Sequence, residues 1–203
     1  GHLYLPDRVL EEEFLNLFGE NIFDFNSLLS EMQMEKRIVV KRSEETNVYL
    51  SGSYYTELAV AKMLIDINIK AKYDISKIED KIRKIEDKEG IILDDLQRQA
   101  VIESINSGLI IITGGPGTGK TTTINTIIKY FESEGESISL AAPTGRAAKR
   151  MSEATSYEAK TIHRLLEITP NISENSNNIG THFERNEDNP LEADVLIIDE
   201  VSM

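Results

Sequence analysis

Gly114-Gly115-Pro116-Gly117-Thr118-Gly119-Lys120-Thr121 is the stretch on which the reading of this 203-residue chain turns. It stands between an apolar run, LIIIT at 109–113, and a helical pattern from Lys120 to Ser133 that stops at Gly135. Glycines at this density let a loop curl until successive backbone N–H groups point inward at phosphate oxygens. A helix that begins where the loop ends adds the positive end of its dipole. Lys120 supplies a mobile cation for the β and γ phosphates, and the Thr121 hydroxyl is a ligand for Mg²⁺. The alternative is a glycine-rich turn that fits by accident; the flanking strand and helix argue against it.

Outward from this loop the chain alternates helices with short apolar strands. Asp94–Ser107 reads as a helix and 109–113 as a buried strand; SISLAA (137–142) is a strand and Arg146–Ala154 a helix. A shorter helix carries TIHRLLE, and DVLIID (194–199) reads as another buried strand. Nearly all-apolar strands between helices predict an α/β fold, with a parallel sheet covered on both faces. Asp199-Glu200 follows the last strand, at the sheet end where such folds present catalytic groups. An Asp there can hold Mg²⁺ through water, and the Glu beside it can polarise an attacking water. No Asn-Lys-x-Asp base-reading motif is present, so ATP is favoured over GTP.

Residues 1–73 read as a small, mainly helical α+β accessory domain, possible as winged-helix-like and equally readable as a packing module without a ligand. Helices are expected over DRVLEEEFLNLF after Pro6, over Asn26–Glu35, and over Tyr54–Ile67 with Leu58, Ala61 and Ile65 on one face. IVVKR and NVYL form a hairpin between them. Residues 74–92 hold a linking helix with Ile75, Ile78, Ile82 and Ile85 at helical spacing, and NISENSNNIG (171–180) is a polar loop.

Composition sets bounds. No run approaches the roughly 18–20 apolar residues of a membrane span, and there is no basic-then-apolar leader. With no cysteine, disulfides and thiolate metal sites are excluded, and a cytoplasmic location is expected. The net charge of −13 opposes nucleic-acid wrapping over the whole surface, but Ala141–Leu166 carries five basic residues against two acidic. The sequence begins at Gly1 without Met and ends at Met203 directly after the acidic pair; both ends read as cut.

Several motifs, in order, resemble a known family. LDDLQRQAV (93–101), GGPGTGKT, AAPTGRAAKRM (141–151), KTIHRLLE (160–167) and FERNEDNPLEADVLIIDEVSM (183–203) are similar to the RecD/TraA group of superfamily 1 DNA helicases. GHLYLP is similar to the segment before the motor in stand-alone RecD-like proteins, exodeoxyribonuclease V alpha-chain homologues that act in DNA repair and recombination. The resemblance implies a RecA-like P-loop NTPase whose first motor domain, truncated, occupies 93–203. It implies ATP-driven 5′ to 3′ translocation on single-stranded DNA, with ATP and Mg²⁺ as cofactors. Gln97 would contact adenine, with Gln99 as its rival if the register slips by two. Gly115, Pro116, Gly117, Thr118, Gly119, Lys120, Thr121 and Thr122 would hold the phosphates. Thr121 and Asp199 would serve Mg²⁺, with Lys120 and Glu200 catalytic.

Pro143, Thr144, Arg146 and His163 would lie near DNA. Arg146, Lys149 and Arg150 also read as a solvated helix face, and His163 equally as a packed histidine. The family's second motor domain, with an Arg reaching the γ-phosphate, is expected to be missing, so the fragment alone would not act as a helicase. A later strand is expected to lie between 109–113 and 194–199, leaving the sheet incomplete and those two strands unpaired with each other. Two other readings are a nucleotide-binding regulatory module without translocation and a small-molecule kinase. Oligomeric state is not legible.

Overall fold

The computed structural model describes residues 2–19, 24–71, 73–115, 117–171 and 180–201, in two compact units, Gly1–Ile69 and Lys70–Met203.

In the first unit, β1 (Tyr4–Pro6) leads into α1 (Asp7–Phe18), followed by α2 (Phe25–Met34), β2 (Ile38–Arg42), β3 (Thr46–Leu50) and α3 (Ser51–Ile67). The expected hairpin of β2 and β3 is antiparallel, and β1 joins it in the order β1-β3-β2. Val48 sits opposite both Leu5 and Val40, and with Phe25 and Ile38 it is buried. Gly19 ends α1 at φ 80°, and Asp24 caps α2 by accepting from the Asn26 and Ser27 N–H groups. The α3 periodicity misleads. Leu58 is 53% and Ile65 74% exposed, and no residue of this helix is buried.

The second unit contains α4 (Ile75–Glu89), α5 (Asp95–Asn106), α6 (Lys120–Glu134), β4 (Ile138–Ala142), α7 (Gly145–Thr155), β5 (Ala159–Thr161), α8 (Ile162–Leu165), β6 (Ile168–Asn171), β7 (Gly180–Phe183) and β8 (Val195–Ile198). β4 is central in a parallel sheet of order β5-β4-β8. β6 and β7 form a separate antiparallel pair that flanks the expected polar loop, of which residues 172–179 lie outside the described residues. The helix expected as a link belongs to this unit's core. Ile78, Ile82 and Ile85 of α4 pack with Leu93, Val101, Ile105, Ile127 and Tyr130, while Ile75 stays exposed. A second cluster joins Ile128, Leu140 and Met151, and Ile197 of β8 touches both.

Two expectations about buried strands need correction. Residues 109–113 form no strand and make no backbone hydrogen bond among the described residues. Ile111 is 80% exposed: an apolar run becomes a strand only where a ladder partner meets it, and among the described residues none does. β8 is a strand, but only its Val195 and Ile197 side is covered; Leu196 and Ile198 are 44% and 39% exposed. It pairs with β4 and not with 109–113. Asp194 fixes its start, accepting from the Ser137 N–H at 2.8 Å and the Ser137 hydroxyl at 2.6 Å. Among the described residues no helix is long and apolar enough to cross a membrane.

Ile82 has no exposed surface, so Ile82→Ala should cost about 2–5 kcal/mol in urea unfolding. Ile65→Ala on α3 should stay within about 0.5 kcal/mol. Equal losses would show that the two helices are buried alike.

Candidate functional site

The glycine-rich loop delivers the chain into α6, whose N-cap is Gly119 in the left-handed region at φ 75°, with Gly117 at φ 76°. α6 is held from behind by its buried Thr123, Thr126, Ile127, Ile128 and Tyr130, so its N-terminal end is a fixed point. Lys120 Nζ donates to the Gly114 carbonyl at 2.6 Å and the Gly115 carbonyl at 2.9 Å. The Thr118 hydroxyl also donates to Gly115 at 2.9 Å. The loop is thus closed around its own lysine. Thr121 is exposed on the first turn of α6 and Thr122 half-buried; Pro116 lies outside the described residues.

Gln97, not its rival Gln99, touches the loop. Its Nε2 donates to the Thr118 carbonyl at 3.1 Å. Its Oε1 accepts from the Asp94 N–H at 3.1 Å, while Asp94 accepts from the Gln97 N–H at 2.8 Å, a reciprocal cap on α5. Gln99 is exposed. Gln97, Gln99, Thr113, Gly114, Thr118, Lys120 and Thr123 line a cavity of about 640 Å³. Asp199, Glu200 and Arg146 are not among its lining residues.

The acidic pair follows β8. Asp199 continues the ladder, its N–H donating to the Ala141 carbonyl at 3.0 Å, and its carboxylate accepts from the Glu200 N–H at 2.9 Å. Glu200 stands at φ 56°, unusual for a side-chain-bearing residue. Its Oε2 is buried and meets no hydrogen-bond partner among the described residues. These are hard oxygen donors, the kind Mg²⁺ takes alongside phosphate oxygens and water. Among the described residues no group of three or more His, Cys, Asp or Glu forms an all-protein metal cage.

Beyond β4, Pro143 is half-buried and Thr144 caps α7, its hydroxyl accepting from the Ala147 N–H at 3.2 Å. Arg146 and Arg150 are exposed and make no ion pair among the described residues, whereas Lys149 pairs with Glu153 at 3.8 Å. His163 is exposed on α8, which removes the packed-histidine reading.

Sequence reasoning missed Glu86 and Arg98. Glu86 is only 8% exposed; it accepts from the Leu93 N–H at 2.8 Å and from Arg98 through both oxygens, at 2.8 and 2.9 Å. Burial alone would raise this carboxyl, but the Leu93 N–H and the Arg98 guanidinium outweigh it and hold the group below its ordinary value. A signal existed: Glu86 stands four residues after Ile82, on the apolar stripe.

A glycine loop capping a buried helix, in a unit whose parallel sheet has a strand ending in Asp-Glu, defines a P-loop nucleotide-binding domain. Residues 97–203 match the AAA domain family, and the chain belongs to it. The ATP-dependent RecD2 DNA helicase of Deinococcus radiodurans is 44% identical over 95 residues, 47% of this chain and 12% of that protein. The RecBCD enzyme subunit RecD of Mycobacterium tuberculosis is 35% identical over 132 residues, 54% of this chain and 21% of the subunit. RecBCD enzyme subunit RecD of Buchnera aphidicola is 32% identical across 100% of this chain and 38% of its own length. The chain therefore spans well under half of each relative.

Gly119→Ala tests the loop geometry. An added Cβ would sit 2.2 Å from Gln97 Nε2, at a φ of +75°. Displaced N–H donors should weaken nucleotide binding by about tenfold or more in calorimetry. Gly135→Ala, at φ +84° with nothing within 4 Å of the added atom, should leave binding unchanged. Equal effects would show that backbone strain alone matters.

Proposed function

We propose that this chain carries the ATP-hydrolysing site of an ATP-dependent DNA helicase that translocates 5′ to 3′ on single-stranded DNA. The observation that carries the reading is the loop 114–121 closed on Lys120 at the N-terminus of α6. Support comes from relatives whose names are those of DNA helicases and of a RecBCD subunit.

In this reading the ammonium of Lys120 exchanges the Gly114 and Gly115 carbonyls for β- and γ-phosphate oxygens, and the N–H groups of Gly115 and of Gly117 to Thr122 with the α6 dipole complete the cradle. Thr121 and Asp199 hold Mg²⁺, which when bound neutralises charge on the phosphates. Glu200 orients the attacking water through Oε2, the atom without a protein partner, and takes its proton. Gln97 contacts adenine from the cavity it shares with Lys120. Pro143, Thr144, Arg146 and His163 meet the DNA strand, a local basic strip on an otherwise acidic chain. A second RecA-like domain of the parent chain would supply the Arg that reaches the γ-phosphate.

In the full-length protein, Lys120→Ala should abolish DNA-stimulated ATP turnover, because the charge that stabilises phosphoryl transfer is lost. Glu200→Gln should keep ATP binding and lose turnover, since its role lies in the chemical step. Near-normal turnover in Lys120→Ala, or equal loss of binding and turnover in Glu200→Gln, would overturn the respective role.

Arg146→Ala should weaken single-stranded DNA binding while sparing ATP binding. A salt titration should flatten by about one phosphate contact, roughly 0.7 in log–log slope. An unchanged slope would assign Arg146 to solvent.

A further inference from the structure

Among the described residues, segment 109–113, which brings the chain into the phosphate loop, makes no ladder hydrogen bond. The hydrogen bond that reaches the loop from another element, among the described residues, is that of Gln97 Nε2 on the Thr118 carbonyl. Gln97 can make it only because its own amide is held: Oε1 accepts from Asp94 N–H, and its backbone N–H donates to Asp94. A flipped amide would turn an NH₂ toward the Asp94 N–H and lose both bonds. The corner that carries Asp94 and Gln97 is held in turn by Glu86. One carboxylate grips Leu93 N–H, just before the cap, and Arg98, just after Gln97. Glu86 stands on α4 beside Ile82 and Ile85, in the core that also contains Ile127 of α6. Both ends of this chain of contacts are therefore anchored in one packed unit.

We propose that Glu86 and Arg98 are positioning residues for the phosphate loop, acting through Gln97 to set the Thr118–Gly119 backbone for phosphate. The inference rests on the nucleotide-binding reading for its functional consequence, though not for its structural one. The pair is a part-buried, charge-assisted contact in which one Arg98 nitrogen, Nη2, reaches both carboxylate oxygens, stronger than a neutral hydrogen bond. Neither residue lines the cavity beside the loop, so any effect on nucleotide passes through the corner. A Cβ built on Gly119 would fall 2.2 Å from Gln97 Nε2, so the loop backbone and the tether lie in direct contact.

The test uses the full-length protein with Arg98→Met and Glu86→Gln. Arg98→Met keeps an apolar stem of similar length and removes the guanidinium. It should raise the KM for ATP about tenfold while kcat stays within about twofold, because Lys120 and Glu200 are untouched. Glu86→Gln keeps an acceptor for Leu93 N–H and should shift KM less. Combining Gln97→Ala with Arg98→Met should be no worse than the worse single change, since both act through one contact. Hydrogen exchange on the nucleotide-free protein supplies a readout that needs no turnover. In both positioning variants the amides of Gly117–Lys120 should exchange faster while those of Val101 and Ile128 keep their protection.

Faster exchange at the loop without any ATP turnover in the wild type would sustain the brace and overturn the proposed function. Wild-type turnover with an unchanged KM in Arg98→Met, or additive effects in the double variant, would overturn the brace. Uniform loss of protection at the loop, Val101 and Ile128 would also overturn it, assigning the pair to general stability.

Discussion

The position of the phosphate loop depends on α6. In a parallel sheet a loop of this kind is ordinarily aimed from both sides, by the strand before it and the helix after it. Here residues 109–113 make no backbone hydrogen bond among the described residues, and within these residues it is the helix that holds the loop. It can do so because five of its residues, from Thr123 to Tyr130, are buried. Thr123 and Thr126 return their hydroxyls to the Gly119 and Thr122 carbonyls at 3.2 and 2.9 Å, so even the polar groups on the buried face are satisfied. What burial of α6 cannot set is the curl of the loop itself. The left-handed glycines permit that curl, and the Gln97 contact selects it.

The other half of the site is built on β4. That strand is paired on both sides, its Leu140, Ala141 and Ala142 are buried, and the chain leaves its C-terminal end toward Pro143 and α7. β8 ends alongside it, with the Asp199 N–H still bonded to Ala141. Small residues at 142, 147 and 148 let α7 lie close against the strand. The result is that the acidic pair and the basic face of α7 both leave the same end of one sheet. A fold that presents its functional side chains at strand ends needs only loop changes to alter chemistry there.

Much of this was legible before any coordinates. The phosphate loop sets α6 to begin at Lys120, and Gly135 stops it. Ile78, Ile82 and Ile85 announce the stripe of α4. The misses have physical causes. Apolar content says that a segment can be buried, whereas strand formation at 109–113 depends on a partner elsewhere in the chain. β1 and β5 are three residues each, too short to show a period. In DKIRKIEDKE, Glu86 reads as one more solvated charge, because its exposure is decided by Arg98 and Leu93 from the next helix. Gln97 was read as a base contact; the structure adds that both ends of its amide already serve the protein.

Glu200 concentrates two costs at one residue. Its backbone lies in the left-handed region, where a Cβ meets the following carbonyl, at roughly 1–2 kcal/mol. Its Oε2 is buried without a partner among the described residues, a desolvation of about 1–3 kcal/mol or more for a charged group. Neither cost follows from local sequence, since any small residue could end β8 without them. Both are sustained by fixed neighbours: the ladder to β4 and the Asp199 carboxylate on the Glu200 N–H. Had the fold been shaped for stability alone, this oxygen would face solvent or a donor. An acceptor buried without a partner among the described residues is suited to a ligand that brings its own protons, as the proposed attacking water does.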